Sequence, residues 1–143
     1  PSKRDHIARR LQERFSIPEE QLQLPRNSKY IYKTDLLTLE YIVSTLLSNA
    51  EKYSAKGSKK PEIRLKEEAG LFTIEVKDYG IGMNEEQLQH LGKSKLELNE
   101  KAEISGVGFY LAKELSNQLG HNLVIKSKLG VGTSVKIELK GND

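Results

Sequence analysis

Residues 35–53 read Asp35-Leu36-Leu37-Thr38-Leu39-Glu40-Tyr41-Ile42-Val43-Ser44-Thr45-Leu46-Leu47-Ser48-Asn49-Ala50-Glu51-Lys52-Tyr53. Leu36, Leu39, Val43, Leu46, Leu47 and Ala50 recur at three- and four-residue steps, the period of one helix face. Asp35 stands where a side-chain oxygen can accept from the first free amides of that helix, so it is the expected N-cap. Beside the leucine stripe, Thr45, Asn49, Lys52 and Tyr53 follow at steps of four, three and one and share a second, polar stripe. An asparagine late in a leucine-rich helix is costly when buried without a partner. Its amide oxygen suits a hard cation such as Mg²⁺, which prefers oxygen donors and keeps several waters. Lys52 suits phosphate as a point charge, and Tyr53 can cover a base or a sugar. Taken alone, a solvated helix end accounts for these residues equally well.

Upstream, Ile7, Ala8, Leu11 and Phe15 predict a short amphipathic helix over Asp5–Phe15. Ser16-Ile17-Pro18 breaks it, with a further turn through Glu19–Leu22 and a loop at Pro25-Arg26-Asn27. Tyr30–Lys33 is a short strand candidate. Downstream, Lys56 to Pro61 is a polar turn. Alternation then predicts two strands, with Ile63 and Leu65 on one face of the first and Phe72, Ile74 and Val76 on one face of the second. Glu68-Ala69-Gly70 turns between them. Residues 84–105 are polar and weakly periodic apart from a possible helix over Glu85–Leu91, a pattern typical of functional or mobile segments. A second long helix is expected from Gly108 to Leu119, burying Leu111, Ala112, Leu115 and Leu119 and capped by Gly120. Leu123–Lys126 and Ser134–Leu139 complete the strands. This order predicts an α+β fold, a two-layer sandwich whose mostly antiparallel sheet is covered on one face by helices.

The chain has 143 residues, enough for one domain. Cysteine is absent, which excludes disulfide scaffolds, thiolate metal sites and cysteine nucleophiles. No apolar run is long enough to span a bilayer, and no charged-then-apolar leader opens the sequence. The net charge is +3, and residues 1–34 alone carry eight basic and four acidic side chains. A solvated helix face is favoured over nucleic-acid binding for those charges. His6, His90 and His121 lack metal-ligand spacing. Gly92-Lys93-Ser94 resembles the tail of a phosphate loop, but Gln87 stands where that loop needs its first glycine.

Three Gly-x-Gly units use six of the eleven glycines: Gly80-Ile81-Gly82, Gly106-Val107-Gly108 and Gly130-Val131-Gly132. The first follows a strand ending in Asp78, the second opens a helix, and the third lies between strands and precedes Thr133. Glycine before a helix lets backbone N–H groups approach phosphate, aided by the helix dipole. Asp78 can cap its own turn, or it can accept from an exocyclic amine such as that of adenine.

In order, Asn49-Ala50-Glu51-Lys52-Tyr53, Asp78-Tyr79-Gly80-Ile81-Gly82-Met83, Gly106-Val107-Gly108-Phe109-Tyr110-Leu111 and Gly130-Val131-Gly132-Thr133 resemble the four boxes of the ATP-binding catalytic domain of sensor histidine kinases, within the superfamily shared with gyrase B, Hsp90 and MutL. The resemblance covers residues 29–143 and implies a Bergerat-type fold with a mobile ATP lid at 84–105, leaving 1–28 as a helical connector. It implies that Asn49 ligates Mg²⁺ on ATP, that Lys52 meets phosphate and Tyr53 the nucleoside, and that Asp78 reads the adenine amine. By the same resemblance, Gly80, Gly82 and Met83 line the base, Gly106, Val107, Gly108 and Phe109 bring the helix start to the phosphates, and Thr133 supports the adenine end. The lid lysines Lys93, Lys95 and Lys101 would reach toward the γ-phosphate.

Several residues depart from the family pattern. Thr45 stands where relatives carry asparagine or a hydrolytic glutamate, and a threonine cannot activate water as a carboxylate does. Leu88 and Leu91 occupy the region of the family's phenylalanine box, and Phe109-Tyr110 replaces a leucine-rich stretch. His6 lacks the acidic and threonine-proline neighbours of a phosphoacceptor, so the acceptor histidine is expected outside this chain. Implied partners are ATP, the dimerisation and histidine phosphotransfer domain of the same protein, and a response regulator. Nucleic acid is not expected, membrane contact is expected only through parts outside this chain, and the implied location is cytoplasmic. A serine kinase of the anti-sigma type shares these boxes and is the alternative enzyme. An interaction domain that binds nucleotide without transfer is the non-enzymatic one.

Overall fold

A computed structural model describes residues 1–54, 59–90 and 107–142 of the chain. Its elements are β1 (Ser2–Lys3), α1 (Arg4–Phe15), a 3₁₀ turn (Glu19–Gln21), β2 (Leu22–Gln23), β3 (Ile31–Tyr32), α2 (Leu36–Tyr53), β4 (Glu62–Glu68), β5 (Leu71–Lys77), α3 (Glu85–His90), α4 (Val107–Gln118), β6 (Asn122–Lys128) and β7 (Gly132–Lys140). Gly106, the lid lysines and residues 91–105 of the expected lid lie outside the described residues, as do residues 56–58 of the Lys56–Pro61 turn.

Five strands form the main sheet in the order β2-β4-β5-β7-β6. Only β2 runs parallel to its neighbour β4, and the other pairings are antiparallel. Alternation fixes the register. Ile63 lies opposite Val76, which lies opposite Val135, and Leu65 lies opposite Ile74, which lies opposite Ile137. These six are buried and share the face packed under the helices. The opposite face carries the row Arg64, Glu75 and Lys136, whose charges alternate in sign across the strands. At the β4–β5 turn, Ala69 and Gly70 both take positive φ, as a two-residue hairpin of this twist requires.

The capping expectation for α2 holds: Asp35 Oδ1 accepts from the amides of Leu37 (3.0 Å) and Thr38 (3.2 Å). Leu39, Ile42, Val43, Leu46 and Ala50 are its buried face. On α4 one expectation is corrected. Leu111 is exposed (37%), while Phe109, Ala112 and Ser116 are buried. At about 100° per residue Leu111 sits about 200° round the helix from Phe109, so one stripe cannot bury both. Leu115 and Leu119 pack at the margin of the core.

Residues 1–28 are built into the same core as the rest. Ile7, Ala8 and Leu11 of α1 are buried in it, and β2 extends the sheet. Arg4, read from charge as part of a solvated face, is 3% exposed. Its guanidinium pairs with Glu67 at 3.2 Å and donates to the carbonyls of Pro25 and Arg26. Glu67 also accepts from Ser28 Oγ (2.7 Å) and from Tyr32 Oη (2.5 Å). Burial, reinforced by that bond to Glu67, pushes the Tyr32 phenol well above its ordinary pKa. A buried charge is tolerated here because nearly every valence of the pair is answered.

His121 joins α4 to the start of α2. It is 7% exposed, its Nε2 lies 2.8 Å from Thr34 Oγ1, and burial holds its pKa below the ordinary histidine value. The unfolded chain therefore takes up a proton more readily than the folded one. Stability is complete above about pH 6.5 and is lost as pH falls through the depressed folded value. The thermal midpoint is expected to drop between about pH 7 and pH 5, and His121→Gln should flatten that drop. An equally steep fall in the variant would remove His121 as its cause.

Candidate functional site

Four chain segments meet where α2 ends, and absent side chains let them meet. A Cβ on Gly80 would lie 2.0 Å from the Tyr53 carbonyl oxygen, so the loop after β5 passes directly over the last turn of α2. On Gly132 it would lie 2.2 Å from the Asp78 carbonyl oxygen, and on Gly82 (φ +71°) 2.0 Å from that of Lys128. On Gly108 it would come within 2.8 Å of both amide atoms of Asn49, placing the first turn of α4 against that carboxamide. Asn49 and Asp78 are thus joined by one turn of α2 and one backbone contact. Of the glycines picked out by spacing, Gly80, Gly82, Gly108 and Gly132 are close-approach glycines, whereas Gly130 (φ +80°) has open space at its Cβ position.

Asp78 is 4% exposed at the end of β5. Its Oδ1 accepts from the amides of Gly80 (3.0 Å) and Thr133 (3.2 Å), and its own amide donates to the Thr133 carbonyl (2.8 Å). Both side-chain bonds fall on Oδ1, so Oδ2 has no hydrogen-bond partner among the described residues. A buried carboxylate held by two amides with one oxygen unspent is built to receive a donor. Asn49 is half-buried, and its carboxamide likewise has no hydrogen-bond partner among the described residues. The first turn of α4 carries no acidic residue, which leaves its positive end for an anion.

The remaining expected residues fall in and around this junction. Lys52 is exposed on α2, one turn beyond Asn49. Tyr53 is half-buried beside Gly80, and burial raises its phenol pKa. The Met83 amide is tied to the β6–β7 hairpin through Ser127 Oγ at 2.7 Å. Val107 opens α4. The Phe109 ring is placed in the hydrophobic core. Thr133 Oγ1 lies 2.7 Å from Ser127 Oγ. Ser127 was not singled out in the sequence. It stands opposite Thr133 in the β6–β7 register, a relation that spacing does not display.

With this geometry in hand, comparison with known proteins decides the family. Residues 34–143 match the family described as "Histidine kinase-, DNA gyrase B-, and HSP90-like ATPase". The chain belongs to that family. Sensor histidine kinase YxdK of Bacillus subtilis is 31% identical over 109 residues, covering 72% of this chain and 33% of the relative. Sensor protein kinase GraS of Staphylococcus aureus is 30% identical over 111 residues, covering 76% of this chain and 31% of its own. The chain therefore spans about a third of the length of these curated relatives. In fold it is similar to the mycobacterial sensor histidine kinase MprB (TM-score 0.63, 23% identity, 96% of this chain and 91% of that one). It is also similar to the catalytic domain of histidine kinase ThkA (TM-score 0.68, 14% identity, again 96% and 91%). The α+β sandwich with an open sheet is the fold of this family, and the chain is its ATP-binding domain of the sensor histidine kinase kind. Among the described residues, no helix of this family member is long and apolar enough to cross a membrane.

Proposed function

We propose that this chain positions Mg-ATP so that the γ-phosphate can be transferred to a histidine lying outside it, as the catalytic module of a two-component sensor kinase. The observation that carries the reading is the pairing of two unspent polar groups at one junction. Asp78 Oδ2 has no protein partner among the described residues, and the Asn49 carboxamide faces the start of α4. The first reads the adenine amine. The second offers a hard oxygen to Mg²⁺, which would neutralise phosphate charge when bound. The donor set fits that ion, because an amide oxygen is a ligand class it accepts, and Gly108 leaves the carboxamide unobstructed. Lys52 meets phosphate, Tyr53 covers the nucleoside, and Thr133 supports the base through Asp78.

Transfer of a phosphoryl group rests mainly on position and charge, so a module that holds ATP and another that supplies the histidine can divide the work. Thr45, a neutral hydroxyl one turn before Asn49, supplies no general base for water attack, which favours transfer over hydrolysis. The partners are accordingly a histidine-bearing dimerisation domain and a response regulator, in the cytoplasm.

Calorimetry with a non-hydrolysable ATP analogue tests the reading. Binding is expected to tighten in Mg²⁺ over chelator, and Asn49→Ala should remove most of that increment. The chain should label itself negligibly with ATP yet transfer acid-labile phosphate to an added histidine-bearing domain. Absence of binding, or acid-stable label on a serine partner, would overturn the assignment.

A further inference from the structure

Three large aliphatic side chains stand out of the protein at one corner. Ile81, Leu129 and Val131 are 60%, 56% and 56% exposed. They come from two segments that backbone geometry ties together. The Val131 amide donates to the Lys128 carbonyl (3.0 Å), closing a turn with Gly130 (φ +80°) at its third position. The Gly130 amide donates to the Ile81 carbonyl (2.8 Å), and Gly82 abuts the Lys128 carbonyl. The three residues therefore make one apolar tip at the end of the β6–β7 hairpin, and water is a poor cover for it.

Directly behind the tip the sheet is basic. Lys126 and Lys128 are exposed and alternate with Ile125 and Ser127, so they lie on the face away from the helices. Lys77 shares that face, since Lys126 and Lys77 both pair with Ser134. Among the described residues no carboxylate pairs with these three lysines. Glu62, opposite Lys77 in the register, is already held by Lys59 (2.7 Å) and Arg64 (2.9 Å). Glu75 lies one row further from the tip, opposite Lys136, and accepts from Ser134 Oγ. Glu85 and Glu86 follow Met83, whose amide bonds Ser127 on the helix side of β6.

We propose that this corner docks onto an anionic lipid surface, with Ile81, Leu129 and Val131 entering the interface and Lys126, Lys128 and Lys77 meeting head-group phosphates. Burial of an apolar tip and attraction of lysines to anionic lipid add to one another. Lysine stems can lie along the acyl boundary while their ammonium groups stay at the head groups. The composition favours lipid over an acidic protein. Protein interfaces are rich in aromatic residues and arginine and poor in lysine, and leucine and valine are under-represented among their hot spots. Membrane contact, expected only through parts outside this chain, thereby extends to the domain itself. The nucleotide reading is not needed for this.

The experiment measures partition of the whole chain, without nucleotide, onto vesicles of phosphatidylcholine alone and of phosphatidylcholine with phosphatidylglycerol. Wild type should prefer the anionic vesicles by about 100-fold, the product of about fivefold for each of three lysines. Lys126→Gln/Lys128→Gln should lower binding to them by about 25-fold. Leu129→Asn should lower it by about tenfold with every charge in place. Lys3→Gln/Arg9→Gln, which removes two exposed charges elsewhere, should leave it nearly unchanged. Equal binding of wild type to both vesicles, or equal losses in the two charge-removing variants, would overturn the proposal. So would undiminished binding by Leu129→Asn, or by Val131→Asn should Leu129→Asn not fold. Capture by a polyglutamate peptide without binding to anionic vesicles would overturn it in favour of an acidic protein.

Discussion

Asp78→Asn is expected to weaken binding of an ATP analogue by about 10- to 150-fold, the range spanned by one hydrogen bond to a charged group. Folding should survive the change. The substituted amide keeps an oxygen at the Oδ1 position, where the Gly80 and Thr133 amides donate. The new NH₂ falls at the Oδ2 position, where the carboxylate had received the adenine amine, and two donors then face each other. The same NH₂ suits a carbonyl, so the ratio of adenine to guanine nucleotide affinity should fall by more than the adenine affinity alone. Calorimetry with both nucleotides checks this, with thermal unfolding as the control for structure. Unchanged adenine affinity in a folded variant would mean that Asp78 only caps its own turn.

Gly80→Ala carries the second large effect, on stability. The added Cβ would sit 2.0 Å from the Tyr53 carbonyl oxygen, 2.9 Å from its carbon and 3.2 Å from the Ser54 Cα. These are backbone atoms at the end of an 18-residue helix, and none can rotate away as a side chain would. Relief requires moving α2 against β5, at a cost of about 3 kcal/mol or more. Nucleotide binding should be lost with it, because the displaced segments carry Asn49 and Asp78. Gly120→Ala is the contrasting variant. Gly120 has φ +78° but open space around its Cβ position, so it should lose only about 1–2 kcal/mol through backbone strain. Denaturant unfolding of both variants checks the order. A Gly80→Ala protein as stable as Gly120→Ala would mean the close approach is easily relaxed.

Much of this protein was readable before any coordinates. The period of residues 35–53, the Asp35 cap and the alternation in residues 62–77 and 134–139 depend on local chemistry, and each appears in the structure as expected. The glycine pairs with Asn49 and Asp78 marked the boxes of the site, and at Gly80, Gly82, Gly108 and Gly132 no other residue permits so close an approach. Leu111 shows where local reading fails. Its hydrophobicity says only that it could be buried, whereas helix phase against α2 decides that Phe109 goes inward. Arg4 fails in the opposite direction. A basic residue near a chain start reads as solvated, and its partner Glu67 lies 63 positions away.

The sequence by itself determined the described elements other than the two-residue strands β1 and β2, the family boxes and the kinds of group available at the site, since these follow from side-chain chemistry and near-neighbour spacing. Tertiary structure alone decided that the Asp78 carboxylate keeps one oxygen unspent, that Gly108 abuts Asn49, and that Ser127 stands across from Thr133. Each of those depends on the register and crossing of segments far apart in the chain, which no local pattern encodes.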